Sequence, residues 1–151
     1  MRPSLIRQSL MKIGPIVVCF AAIVGCGGDS TSPSQSAAAG SYSAFQFVTT
    51  GSSGQTDQLL IGSTVQITLA SNGTTTGHLH LAASGSQQAF DADLAGTWSQ
   101  TGNVIDFTQG VDNFVNDMLF TIQPIANNVW DLVGEDTFSG THVKLTLRHG
   151  A

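Results

Sequence analysis

His78-Leu79-His80 is the first place in the chain where residue type and spacing could support chemistry. Side chains on a strand alternate between faces, so the two imidazoles would share one face and Leu79 would take the other. Such a pair can hold Zn or Cu when a neighbouring element brings a third ligand. His142, His149 or a nearby Asp are the residues available for that. The plainer reading, adopted here, is two exposed polar residues behind a leucine face. No metal is therefore expected, and His78 and His80 are the candidates should there be one.

Asp91-Ala92-Asp93, and Asp112-Asn113 with Asn116-Asp117, place oxygen ligands near loops, where Ca²⁺ can bind. Neither stretch follows the spaced acids, glycine and final glutamate of a helix-loop-helix calcium site. Both are read as solvated, turn-forming residues. The chain has no Gly-x-Ser-x-Gly, no His-Glu-x-x-His and no phosphate-cradling glycine run. Glu135 and Asp136 are adjacent and would point to opposite faces of a strand, whereas paired-carboxylate catalysis needs convergence. The expectation is that the protein is not an enzyme and uses no cofactor. A hydrolase with a loop-built site is the competing reading from the enzyme class.

Charge is unevenly distributed. Three of the five basic residues, Arg2, Arg7 and Lys12, lie in the first twelve positions. An apolar run from Ile13 to Val24 follows, interrupted by Gly14 and Pro15. A basic start followed by a short apolar core is the secretory signal pattern, and the run falls short of the roughly 20 residues that a membrane-spanning helix needs.

At the end of that run, Ile23-Val24-Gly25-Cys26 resembles the lipobox of bacterial lipoproteins. Membership of that class implies a diacylglyceryl group on the Cys26 thiol, cleavage after Gly25, and membrane anchoring through acyl chains such as palmitate. A thiolate is a natural acceptor for such a group. Each buried CH₂ contributes about 0.8 kcal/mol to anchoring. The sorting pattern of the class, with Gly27 rather than Asp after the cysteine, favours the outer membrane over the inner. Three segments follow: signal peptide 1–25, lipidated cysteine and flexible linker 26–39, and a domain at 40–151. The linker, rich in Gly, Ser, Thr and Ala, has no means of burying a core.

Removal of residues 1–25 leaves Lys144 and Arg148 against ten acids, a net charge of −8. Two cations cannot neutralise a phosphate backbone, which excludes nucleic acid as a partner and electrostatic docking on anionic lipid. Cys19 leaves with the signal peptide, so Cys26 would be the only thiol and no intrachain disulfide could form.

The elements that must position any site are strands. Apolar residues alternate with polar ones at Val65-Ile67-Leu69, Leu79-Leu81, Ile105-Phe107, Met118-Phe120-Ile122, Trp130-Leu132 and Val143-Leu145-Leu147. Tyr42–Thr49 and Leu94–Gln100 make eight. Asn72-Gly73, Gly102-Asn103, Asn127-Asn128 and Ser139-Gly140 supply tight turns. Val111, Phe114, Val115, Met118 and Leu119 recur at helical spacing, leaving room for a short helix or turn at 111–116.

Short strands in succession imply an antiparallel meander, and closure into a barrel removes both free edges. The predicted fold is an all-β, eight-stranded, up-and-down barrel; a β-sandwich is the alternative. Gly96-Thr97-Trp98 before a hairpin resembles an element of small lipocalin-like barrels. That resemblance implies a carrier or sensor of a small apolar ligand as one function. The leading expectation is a non-catalytic, membrane-tethered envelope domain with a binding or structural role, its partner an apolar ligand or an envelope protein. The inward set, with Trp98 and Trp130 as core residues and Phe45 and Phe47 joining it, is bulky enough to fill the barrel. The rival is that both tryptophans line a pocket.

Overall fold

A computed structural model of the chain describes residues 35–85, 87–126 and 129–150. The signal peptide, the lipobox with Cys26 and the linker to residue 34 lie outside the described residues, as does the Asn127-Asn128 turn. The strands are β1 (Gly40–Gly51), β2 (Gly54–Asp57), β3 (Thr64–Leu69), β4 (Thr74–Leu81), β5 (Phe90–Asp93), β6 (Gly96–Thr101), β7 (Val104–Gln109), β8 (Phe120–Ala126), β9 (Val129–Phe138) and β10 (Thr141–His149). Two single-turn helices, α1 (Gln35–Ala38) and α2 (Phe114–Asp117), complete the elements.

Eight strands follow one another around the sheet as β1-β3-β4-β6-β7-β8-β9-β10, and β10 pairs with β1 to close it. Every pairing is antiparallel. The barrel therefore has no open edge within its wall, and the β-sandwich is set aside. The eight wall strands correspond to the eight expected, the six marked by alternation and the two at Tyr42–Thr49 and Leu94–Gln100. Two further strands are added: β2 forms a hairpin with the end of β1, and β5 pairs with the end of β4. The Ser139-Gly140 hairpin has positive φ at both central residues, the twist that two-residue turns between strands prefer.

Tyr42, Phe47, Val65, Ile67, Leu69, Leu79, Leu94, Trp98, Ile105, Phe107, Met118, Phe120, Ile122, Leu132, Leu145 and Leu147 are buried inside. Burial of a side chain of this size stabilises by about 1.5–3 kcal/mol. Phe107 and Phe120 meet edge to face at 5.3 Å, a preferred aromatic geometry. Gly134 sits where any Cβ would collide with Met118 Sδ, so this strand position must stay bare. Gly96 is bare for a backbone reason, because a Cβ there would strike the Thr108 carbonyl oxygen. It is thus the glycine of Gly96-Thr97-Trp98 that lets β6 close on β7.

Three expectations need correction. Phe45 is 57% exposed, not inward. A bulge between Ala44 and Gln46 in the β1–β10 pairing shifts the alternation by one residue. Tyr42 and Phe47, an odd number apart, then both face the core and Phe45 is turned out. Trp130 and Leu81 are half-buried, because each lies towards the end of its strand. Residues 35–39, read as the end of the linker, belong to the domain: α1 forms there, Ala38 is buried and Ala39 packs on the core.

The two ends of the barrel differ. At one, α1 lies across the opening and the Tyr42 hydroxyl donates to the Ala38 carbonyl at 2.7 Å. Burial pushes the Tyr42 phenol well above its ordinary range. At the same end Trp98 Nε1 donates to the Ala70 carbonyl at 2.8 Å. This end is closed. The other end is ringed by the 58–63 loop, the loop from Ala82 to Gln88, α2 and the Ser139-Gly140 turn.

Candidate functional site

The mouth opposite α1 is an aromatic cup. Its floor and walls are Phe47 from β1, Leu81 from β4, Phe90 from β5, Phe114 from α2, Phe138 from β9 and Val143 from β10. Phe114 packs on Phe47 with ring centroids 5.4 Å apart and on Phe138 at 6.3 Å. Neutral polar groups from Thr49, Gln58, Ser84, Gln87, Gln88 and Thr141 join the lining. The cup has a volume of about 490 Å³, within the roughly 300–1,000 Å³ of small-molecule sites. A dent of about 480 Å³ on the outer wall is lined by Phe45, Asp57, Asp131 and Lys144 among others, and is the more polar of the two. The cup is concave, with an aromatic and aliphatic lining joined by six neutral polar residues, and it combines the apolar surface and polar groups that ligand sites use.

The sequence places α2 in the mouth by capping. Asn113 Oδ1 accepts from the Val115 amide at 3.0 Å, and its Nδ2 donates to the Val111 carbonyl at 2.8 Å. Asn116 Oδ1 accepts from the Gln109 amide at 2.8 Å. Two asparagines of this polar cluster thus fold the segment, burying Val115 and Met118 beneath Phe114. The far wall is held in a similar way. Gln58 Oε1 accepts from the Ser63 hydroxyl at 3.0 Å, and Gln58 Nε2 donates to Thr49 Oγ1 at 2.8 Å.

His78 and His80 stand on one face of β4, as alternation requires, and β5 brings acids to them. Asp91 Oδ1 lies 2.8 Å from His80 Nδ1 and 3.1 Å from His78 Nε2, and Asp93 Oδ1 lies 3.5 Å from His78 Nδ1. Hydrogen bonds from His80 and then His78 hold the Asp91 carboxyl below its ordinary range. The imidazole nitrogens are aimed at a carboxylate oxygen, not at a shared vacancy. Among the described residues no group of three His, Cys, Asp or Glu is arranged to hold a metal ion. The cluster instead clamps the β4–β5 hairpin, whose connecting loop forms one side of the cup.

Glu135 and Asp136 do not converge. Glu135 meets His142 Nε2 at 3.0 Å, and Asp136 Oδ1 accepts from the Thr137 amide at 2.6 Å. Neither tryptophan lines the cup: Trp98 is in the core towards the closed end, and phenylalanines take the place that the rival reading gave to tryptophan. Among the described residues, the middle of the barrel is filled by buried side chains, and the cup lies at the mouth. Of the cup residues, the sequence marks Leu81 and Val143 as inward by alternation, adds Phe47 to that set, and places Phe114 by helical spacing. Phe90 and Phe138 carried no signal beyond being single aromatics near strand ends. Comparisons with known protein families, curated proteins and solved structures find no match.

Proposed function

We propose that the chain is a lipid-anchored cell-envelope protein whose barrel binds a small apolar ligand in the aromatic cup, without catalysis. The observation that carries the binding reading is the cup itself, a half-open site of ligand size lined by four phenylalanines. It favours a carrier or sensor over a purely structural envelope component. The anchoring reading rests on the signal-like residues 1–25 and on Gly25-Cys26, with Gly27 pointing to the outer membrane. The non-catalytic reading is supported by the lining, which includes hydroxyls but no histidine or acid to activate them.

Titration with N-phenyl-1-naphthylamine, an uncharged apolar fluorophore, tests the binding reading. Saturable micromolar binding that Phe138→Asp abolishes and Phe45→Ala leaves intact is expected. Absence of saturable binding to the folded wild-type protein would return the domain to a structural role.

A further inference from the structure

We infer that the cup selects an uncharged amphiphile, with an apolar body of about ten to fifteen heavy atoms and a neutral hydrogen-bonding head; this rests on the ligand-binding reading above. The size follows from the volume. About 490 Å³ accommodates about sixteen water-sized groups, and the open mouth leaves part of that to solvent.

The head group follows from charge. Among the described residues, no Lys, Arg, His, Asp or Glu lines the cup. The only two Lys or Arg residues among those described are already engaged elsewhere. Arg148 is bound to Asp131 at 2.9 Å, and Lys144 lies 3.9 Å from Glu135. A carboxylate or phosphate head entering the cup would lose water and gain no cation, which is costly. A cationic head fares little better. Asp136 lies outside the lining, its Oδ1 held by the Thr137 amide. Three of the four phenylalanine rings are packed against one another, Phe114 on both Phe47 and Phe138, which leaves Phe90 as the one cup ring that could offer a face to a cation. The rim does offer amides and hydroxyls. Gln58 is committed to Thr49 and Ser63, so Gln87, Gln88 and Thr141 are the groups placed to meet an alcohol, ester or amide.

Three ligands of one chain length and different head charge test this: decan-1-ol, decanoate and decylammonium, each competed against N-phenyl-1-naphthylamine at pH 7. Decan-1-ol is expected to displace the fluorophore at least tenfold more effectively than either charged ligand. Gln88→Lys, which replaces one neutral rim group with a cation, is expected to shift the ratio of decanoate to decan-1-ol affinity at least fivefold towards decanoate. Equal or stronger displacement by decanoate or decylammonium, or no displacement by any of the three, would overturn the selectivity and leave the binding reading standing. Failure of the fluorophore itself to bind would remove both.

Discussion

Arg148 on β10 grips Asp131 on β9 through two parallel hydrogen bonds, Nε to Oδ1 at 3.0 Å and Nη2 to Oδ2 at 2.9 Å. The same guanidinium lies 3.4 Å over the ring centroid of Phe45, the residue that the β1 bulge expels from the core. The stack covers one face of a ring that is otherwise exposed, and it ties β1, β10 and β9 together across the outer wall. Asp131 is only 4% exposed, so losing its partner would leave a covered carboxylate uncompensated. Arg148→Ala should therefore lower the urea midpoint, and adding Asp131→Asn should restore part of the loss. Arg148→Lys should resemble Arg148→Ala, because an ammonium has neither the fork nor the flat face. Strictly additive effects of the two single changes would contradict the coupling.

Trp98 fills the core towards the closed end, 3% exposed, and spends its indole N–H on Ala70. Trp98→Ala should cost roughly 3–5 kcal/mol in chemical denaturation. Trp130→Ala should cost less, since that ring is half-buried at its strand's end. Equal losses would mean that the two positions are more alike than their burial.

The Asp91 clamp sets a pH dependence whose sign follows from its lowered carboxyl. A carboxyl that binds its proton less readily folded than unfolded stabilises the fold above the ordinary carboxylate range. That contribution is lost as pH falls through the lower, folded value. Between mildly acidic pH and that value, the wild-type protein should lose stability more steeply than Asp91→Asn. Parallel stability curves from thermal melts across that window would rule the clamp out as a contributor.

Lipid attachment has its own check. The mature protein expressed in a bacterial host should begin at Cys26, carry the added mass of a diacylglyceryl group and partition into detergent. Cys26→Ser should stay in the aqueous phase and keep its signal peptide. A mature mass without lipid would remove the anchor.

The wall of the barrel was largely legible in the sequence because half-buried strands must alternate, and six of the eight did so visibly. What alternation could not carry was everything that breaks or escapes its period. Gly54-Gln55-Thr56-Asp57 forms β2 with no apolar residue at all, held by its ladder to β1 alone. The bulge after Ala44 leaves no mark on composition, so Phe45 and Phe47 read alike although one is out and the other in. The short helix was visible as a spacing at 111–116, and its capping residue fixed it slightly later, at 114–117. The cup was the least legible part. Phe47, Phe90, Phe114 and Phe138 lie far apart in the chain and meet only because antiparallel register brings their ends of the strands to one rim. Periodicity reports which face a residue takes, not which end of the barrel it reaches.

The way β1 is built into the wall also decides how the domain bears a load. β1 is bonded to β10 along most of its length, and its other edge is bonded to β3 at the start and to β2 at the end. Ladder bonds run across the strand direction. A pull arriving through Gln35 acts along the axis of β1, so the bonds on both flanks resist together in shear instead of parting one after another. Force spectroscopy with the handle at residue 35 should give a higher rupture force than with handles on Phe138 and Thr141, which flank a hairpin free to unzip. If the proposed lipid anchor on Cys26 holds the chain, the strand that follows the tether is thus the one best placed to resist being dragged out.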